Sequence, residues 1–386
     1  MLIRSLSVRQ RSEVTTLRKP REFGCYSRTD KDEIFVNDAR NLSYFYFTDN
    51  ELAKTQSLDL SAGRREFQDR SETISDPCSM KGLLDTIRVA EEKVNKRLGA
   101  DIITFRGIIR KLISYGVEES RFTDPINLQV LVFDGQIFIK DINQNSDLAK
   151  KNEVQSNYGI DLGSFSGYKF ETLTTIPKPF SEVSRETIEE RPKQIVSNGN
   201  EYASVVQTGI GSSKIILGAE VDAIFDFKPT PEENEDNLAH YIELKCTKVI
   251  QSQRDCLNFE KKLFRTWLQC FLVGIPRITY GFRNELYQLK TIEEYQTVEI
   301  PQLVNPSMKE QFNDAIKWYG CFIDWLLQTL PRDSKDTEML AYKLTNGEQS
   351  LRLEQIDPTS DEYTHIINNP DFINAEFKKW RLSLKR

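Results

Sequence analysis

The stretch that most constrains the fold runs from Gly218 to Cys246: GAEVDAIFDF, a polar loop, then HYIELKC. Two short apolar runs here carry charge at alternate positions, Glu220 and Asp222 in the first, Glu243 and Lys245 in the second. Side chains two apart in a strand share a face, so each pair points one way. The opposite parity is apolar, with Val221, Ala223, Phe225 and Phe227 on one run and Ile242, Leu244 and Cys246 on the other. The pattern predicts two strands with one face on a core and the other gathering three carboxylates and an ammonium.

Paired as an antiparallel hairpin across Lys228 to Ala239, the runs bring those carboxylates together. Like charges so placed raise one another's pKa values unless a cation sits among them. Hard oxygen ligands suit Mg²⁺ or Mn²⁺, as a pair of ions that clamp the attacking and leaving oxygens of a phosphoryl transfer. Lys245 then meets developing phosphate charge or orients the attacking water. An acid, a gap and Glu-x-Lys is similar to the pattern of restriction-type metal-dependent nucleases. Alternating charge also describes the solvated face of ordinary antiparallel sheets, so each half of the pattern is weak by itself and the two together carry the inference.

Composition removes the competing chemistries. Only His240 and His365 are available, which argues against a histidine-rich metal centre or a His-dependent triad, and His240 reads as structural or solvated. The six cysteines contain no Cys-x-x-Cys and read as reduced thiols of an intracellular protein without a zinc site. A net charge of −6 argues against coating of duplex nucleic acid, so any bound strand must enter a local channel. No apolar run approaches the ~18 residues of a membrane span. With 36 Phe and Tyr residues among 386, the chain can bury a large core, expected as a single domain over 1–386. Six Lys or Arg against Glu13 in the first 21 residues predict an exposed basic arm over 1–20, with an organellar presequence as the other possibility.

Along the chain, Leu84, Ile87, Ala90, Val94 and Leu98 predict a helix over about 80–98, closed by Gly99. A strand at Ile102 leads into a helix with Ile108, Ile109, Leu112 and Ile113 inward, which places Arg106 at a helix start in apolar surroundings. A charge there needs an acid, a carbonyl or a phosphate. Asp134-Gly135 turns a hairpin over 128–140, and Gly209-Ile-Gly211 turns the Glu201 strand into the Glu220 strand. Glu171 stands among aromatics and, taken alone, reads as solvated. Asn258 to Leu272 predicts a helix capped by Asn258, with Phe259, Leu263, Trp267 and Cys270 inward and Lys262, Arg265, Thr266 and Gln269 in a polar stripe. Residues 54–78 and 141–158 read as polar loops, and further helices are expected over 308–330 and near 372–384.

Taken in order, Arg106 in ITFRG, Gly167 to Glu171, Glu220-Val-Asp222, Glu243-Leu-Lys245, Gln269 in TWLQCFLVGIPR and Gly281-Phe-Arg283 resemble the DXO family of RNA 5′-end quality-control enzymes, its yeast nuclear members above all. The likeness covers motifs over about 20–290. It implies an α+β fold of two twisted mixed sheets with flanking helices, a restriction-nuclease-like core and an active-site pocket between the sheets. It assigns Glu171, Glu220, Asp222, Glu243 and the Leu244 carbonyl to metal binding, and Arg106, Lys245 and Gln269 to the substrate phosphates, with Glu201 as a further contact. It implies hydrolysis of 5′-triphosphate, incompletely capped and NAD-capped RNA in the nucleus, and a partner in the nuclear 5′-to-3′ exoribonuclease. The alternatives are a mainly non-catalytic scaffold for that exoribonuclease, a distributive 5′-to-3′ exoribonuclease acting alone, and, from the Glu-x-Lys pattern only, a restriction-like DNA nuclease.

Overall fold

The run GAEVDAIFDF does not form one strand: it is divided between two sheets. A computed structural model describes residues 3–48, 58–70, 73–119, 123–142, 160–229, 236–332 and 339–384. Most of the 141–158 stretch and the middle of the 228–239 loop, both read as polar loops, lie outside the described residues.

Among those described, ten strands form the larger sheet, in the spatial order Ile3–Ser7, Ser350–Gln355, Leu340–Asn346, Asn127–Phe133, Gln136–Asp141, Ile102–Phe105, Ile215–Glu220, Glu201–Ile210, Leu17–Arg28 and Ile34–Val36. Ile102–Phe105 pairs in parallel with both its neighbours, and the other ladders are antiparallel. The smaller sheet runs Leu289–Gln296, Arg277–Arg283, Tyr241–Lys248, Ala223–Ile224, Tyr44–Phe45 and Thr175–Ile176. Two of its pairs are parallel, Ala223–Ile224 with Tyr44–Phe45 and Tyr241–Lys248 with Arg277–Arg283, and the second is joined by the crossover helix Gln253–Val273, as a parallel connection requires. This is the mixed α+β arrangement with flanking helices that the family likeness implied.

One apolar core binds the two sheets, with Val206 and Leu217 from the larger, Ile278 and Tyr280 from the smaller, and Leu263 and Trp267 from the crossover helix. Leu84, Ile103, Phe138 and Phe377 anchor a second core on the other side of the larger sheet. The Asp134-Gly135 turn is present, with both residues at positive φ (51° and 71°). The hairpin from Glu201–Ile210 into Ile215–Glu220 also forms as expected.

Four local expectations are corrected. Residues 1–20 are not a loose arm: Ile3–Ser7 pairs with Ser350–Gln355 and Leu17 begins a long strand, while Arg11 pairs with Asp314. Arg4, Arg18, Lys19 and Arg21 lie in these strands, and Arg9 and Arg11 in the connection between them. The first helix spans Lys81–Val94 and stops at Asn95, whose left-handed backbone (φ 47°) ends it before Gly99. The crossover helix begins at Gln253, not Asn258, because Ser252 caps it by accepting from the Asp255 N–H. Thr266 leaves the polar stripe and is buried, sharing a 2.6 Å hydrogen bond with the Tyr280 hydroxyl.

Candidate active site

The chain changes sheets at Glu220 to Ala223. Glu220 ends the Ile215–Glu220 strand opposite Ala203, and the Val221 N–H donates to the Tyr202 carbonyl at 2.9 Å as the last tie to the larger sheet. Ala223 already pairs with Ile242 of the smaller one. Asp222 sits in the gap, and its carboxylate accepts from the Leu244 N–H at 2.7 Å. The predicted antiparallel pairing is real but only two residues long, and Glu220 belongs to a different sheet from Asp222's partner strand. The expected parity fails beyond it: Phe225 is half-buried under the Arg277 guanidinium, and Phe227 is exposed beside His240. His240 is tied to Asp226 at 2.7 Å, the structural role expected of it.

Around this crossover the sequence-predicted residues meet. Glu243 is buried, with Arg106 at 3.1 Å on one oxygen and Lys245 bonded to the other. Lys245 Nζ also donates to the Leu244 carbonyl at 3.2 Å and stands 3.7 Å from Asp222. Glu171, from the helix Leu162–Thr174, adds its charge to the same cluster, where Asp222, Lys245, Glu220 and Glu243 are all its electrostatic neighbours. The Arg106 position follows from the strand-to-helix junction: Phe105 ends the strand and Arg106 opens the helix Arg106–Val117.

Four acids in one place perturb one another. Burial, then the Asp222 charge, pushes the Glu171 carboxyl well above the usual range. Burial and then Glu243 push Asp222 up to about 7. Glu220 opens onto pocket solvent, yet the surrounding protein and then Glu201 raise its carboxyl too. Burial also opposes ionisation at Glu243, but Lys245 and Arg106 outweigh it and hold that carboxyl below the usual value. For Lys245 burial works against the charge, and Glu243 and Asp222 more than restore it, so the ammonium persists. One ionised acid anchors two cations, and three others await a compensating charge.

A cavity of about 500 Å³ opens beside the cluster, lined by Glu220, Arg106, Gln269 and Glu201 among others. Its walls come from the larger sheet, the Arg106–Val117 helix and the crossover helix, and the smaller sheet reaches it through the Glu243 to Arg106 pair. Gln269 and Glu201 therefore face the same space as Glu220, the one acid of the cluster that lines the cavity. Four further cations in the wall, Arg28, Arg70, Arg110 and Lys111, were not foreseen. Arg70 pairs with Glu201 at 3.3 Å, and nothing in its polar segment marked it. Arg110 was legible in principle, being four residues after Arg106 on the same helix face.

The donor set of Glu171, Glu220, Asp222, Glu243 and the Leu244 carbonyl is all hard oxygen, which fits Mg²⁺ or Mn²⁺ and not zinc. Among the described residues no three Asp, Glu, His or Cys side chains form a ready coordination sphere; Glu243 is engaged by Lys245 and Arg106, and Asp222 by the Leu244 N–H. Burial and mutual repulsion raise three of these carboxyls, the condition under which a divalent cation among them is most stabilising.

Such a fold and site define a metal-dependent nuclease of the restriction type. The chain belongs to the family described as RAI1 like PD-(D/E)XK nuclease, whose pattern matches residues 18–378. It is 47% identical over 388 residues to decapping nuclease RAI1 of Saccharomyces cerevisiae, covering 99% of each chain. In structure it is similar to Candida albicans Rai1 in complex with pU5-Mn2+ (TM-score 0.87, 35% identity, 100% of each chain). It is likewise similar to Scheffersomyces stipitis Rai1 in complex with (3'-NADP)+ and calcium ion (TM-score 0.85, 34% identity, 98% of this chain and 100% of the other). No described helix is long and apolar enough to cross a membrane.

Proposed function

We propose that this chain hydrolyses the 5′ ends of RNA with divalent metal ions, Mg²⁺ or Mn²⁺, releasing pyrophosphate from 5′-triphosphate RNA and removing incomplete and NAD caps. The observation that carries it is the meeting of Glu171, Glu220, Asp222 and Glu243 beside Lys245, from two sheets and a helix. The four carboxylates and the Leu244 carbonyl would hold the metal, which would supply Lewis acidity and an activated water. Lys245 keeps its proton and faces the charge that develops on the phosphoryl oxygens. Arg106 and Gln269 position the phosphate, and Glu201 bounds the far side of the pocket. Support for the substrate comes from the decapping name of the relatives and from the pU5 and (3'-NADP)+ held by structural neighbours. By the same likeness the protein acts in the nucleus as a partner of the nuclear 5′-to-3′ exoribonuclease.

Purified chain without partner is incubated with one RNA bearing in turn a triphosphate, an incomplete cap and an NAD cap, across a Mn²⁺ titration, and the products are resolved. Metal-dependent release from the 5′ end is expected. Absence of turnover on all three RNAs leaves only the scaffold role, and equal cleavage of duplex DNA refutes the RNA assignment.

A further inference from the structure

The cations of the pocket wall are not equivalent. Arg28 pairs with Asp32, Arg70 with Glu201, Arg106 with Glu243 and Lys111 with Asp141. Arg110 has no acid within ion-pair distance among the described residues, and its Nε is sealed from solvent without any acceptor. Burial, opposed by the more distant Asp124 and reinforced by the like charges of Arg106 and Arg265, holds its guanidinium below the usual range. An arginine kept only for its stem gains nothing from placing an unmatched charge there, since an apolar side chain of similar length fills the volume without that penalty.

Arg106 and Arg110 open successive turns of the Arg106–Val117 helix, so they share a face and stand about 6 Å apart along the axis. That step is comparable with the separation of neighbouring phosphates on a nucleic acid strand. We infer that Arg110 is a positioning residue that takes the RNA backbone phosphate next to the one held at Arg106, and so selects for a polynucleotide over a lone nucleotide. The assignment rests on the RNA 5′-end activity proposed above.

The test compares wild type, Arg110→Gln and Arg110→Lys on a 5′-triphosphate pentanucleotide, and on the same RNA with one neutral methylphosphonate linkage placed first or second from the cleaved bond. In Arg110→Gln, KM is expected to rise about tenfold with kcat within about twofold, as for loss of one charge-assisted contact. One of the neutral linkages raises the wild-type KM equally and adds nothing in the variant, and the variant's salt slope falls by about 0.7. Arg110→Lys recovers part of the affinity, and Arg110→Gln melts at or above the wild-type temperature because an unmatched charge is gone. A wild-type KM and salt slope in Arg110→Gln, additive losses with both neutral linkages, or a lower melting temperature with kcat lost alongside each overturns the assignment. If wild type turns over none of these RNAs, the 5′-end activity itself falls and the assignment falls with it.

Discussion

Replacing Glu243 by glutamine keeps the shape of the site and removes one charge. At 3.1 Å and an effective dielectric of about 20, the attraction between Arg106 and Glu243 is about 5 kcal/mol. Both side chains are almost fully enclosed, 9% and 1% exposed, so desolvation takes back much of that gain, and an apolar pair of the same volume serves nearly as well. Deleting only the acid differs, because Arg106 is then left charged and buried, a loss of about 3–5 kcal/mol in comparable cases. Lys245 retains Asp222 at 3.7 Å, which places the expected loss at the lower end, about 3 kcal/mol. The pH dependence has a definite sign. The native Glu243 pKa lies below its ordinary value, so its contribution is present above about pH 4.5 and disappears as pH falls through the lowered native pKa. Urea unfolding in EDTA at pH 7, for wild type, Glu243→Gln, Arg106→Met and the double variant, measures the effect and its coupling. The double variant is expected to recover most of the loss. A Glu243→Gln variant within about 0.5 kcal/mol of wild type, or a cycle in which the two changes simply add, refutes the claim that the two buried charges depend on each other.

The other acids respond differently. Glu220→Gln removes a charge that the surrounding protein and Glu201 already disfavour, so metal-free urea stability is expected to hold or rise while hydrolysis is lost. Glu220→Ala with Asp222→Ala is expected to abolish turnover and leave the circular dichroism spectrum unchanged, and full activity in that variant rules out the site. Because Asp222 sits near 7 without metal, a bound cation must displace its proton, and Mn²⁺ affinity measured by calorimetry is expected to rise about tenfold from pH 6 to pH 8 with proton release. A flat pH profile contradicts that. Gly281→Ala puts a Cβ 2.4 Å from the buried Phe170 ring, so it is expected to cost about 1–3 kcal/mol and to lower kcat by displacing the neighbouring Glu171; wild-type values for both show that the contact yields.

Much of this was legible in local pattern. Alternation placed Glu243 and Lys245 on one face and Leu244 in the core, Asp134-Gly135 gave its turn, and the apolar setting of Arg106 called for a partner, an acid, a carbonyl or a phosphate, of which the structure supplies the acid Glu243. The site as a whole was not legible, because it is made by a change of sheet. Nothing in the alternation of GAEVDAIFDF marks the two residues where the strand leaves one ladder for another, and Phe225 and Phe227 lose the expected parity there. Glu171 lies on a helix far along the chain, and its surroundings suggested a solvated acid until the family likeness assigned it. Arg70 escaped notice because its partner, Glu201, is brought to it only by tertiary packing.

Anomalous diffraction from a crystal soaked in Mn²⁺, at the manganese edge, asks most directly whether acids from both sheets and from the Leu162–Thr174 helix close on one centre. A peak with oxygens of Glu171, Asp222 and Glu243 or Glu220 at about 2.1 Å, beside the Lys245 ammonium, is the expected result. Manganese bound elsewhere, or held by the acids of one sheet alone, contradicts it.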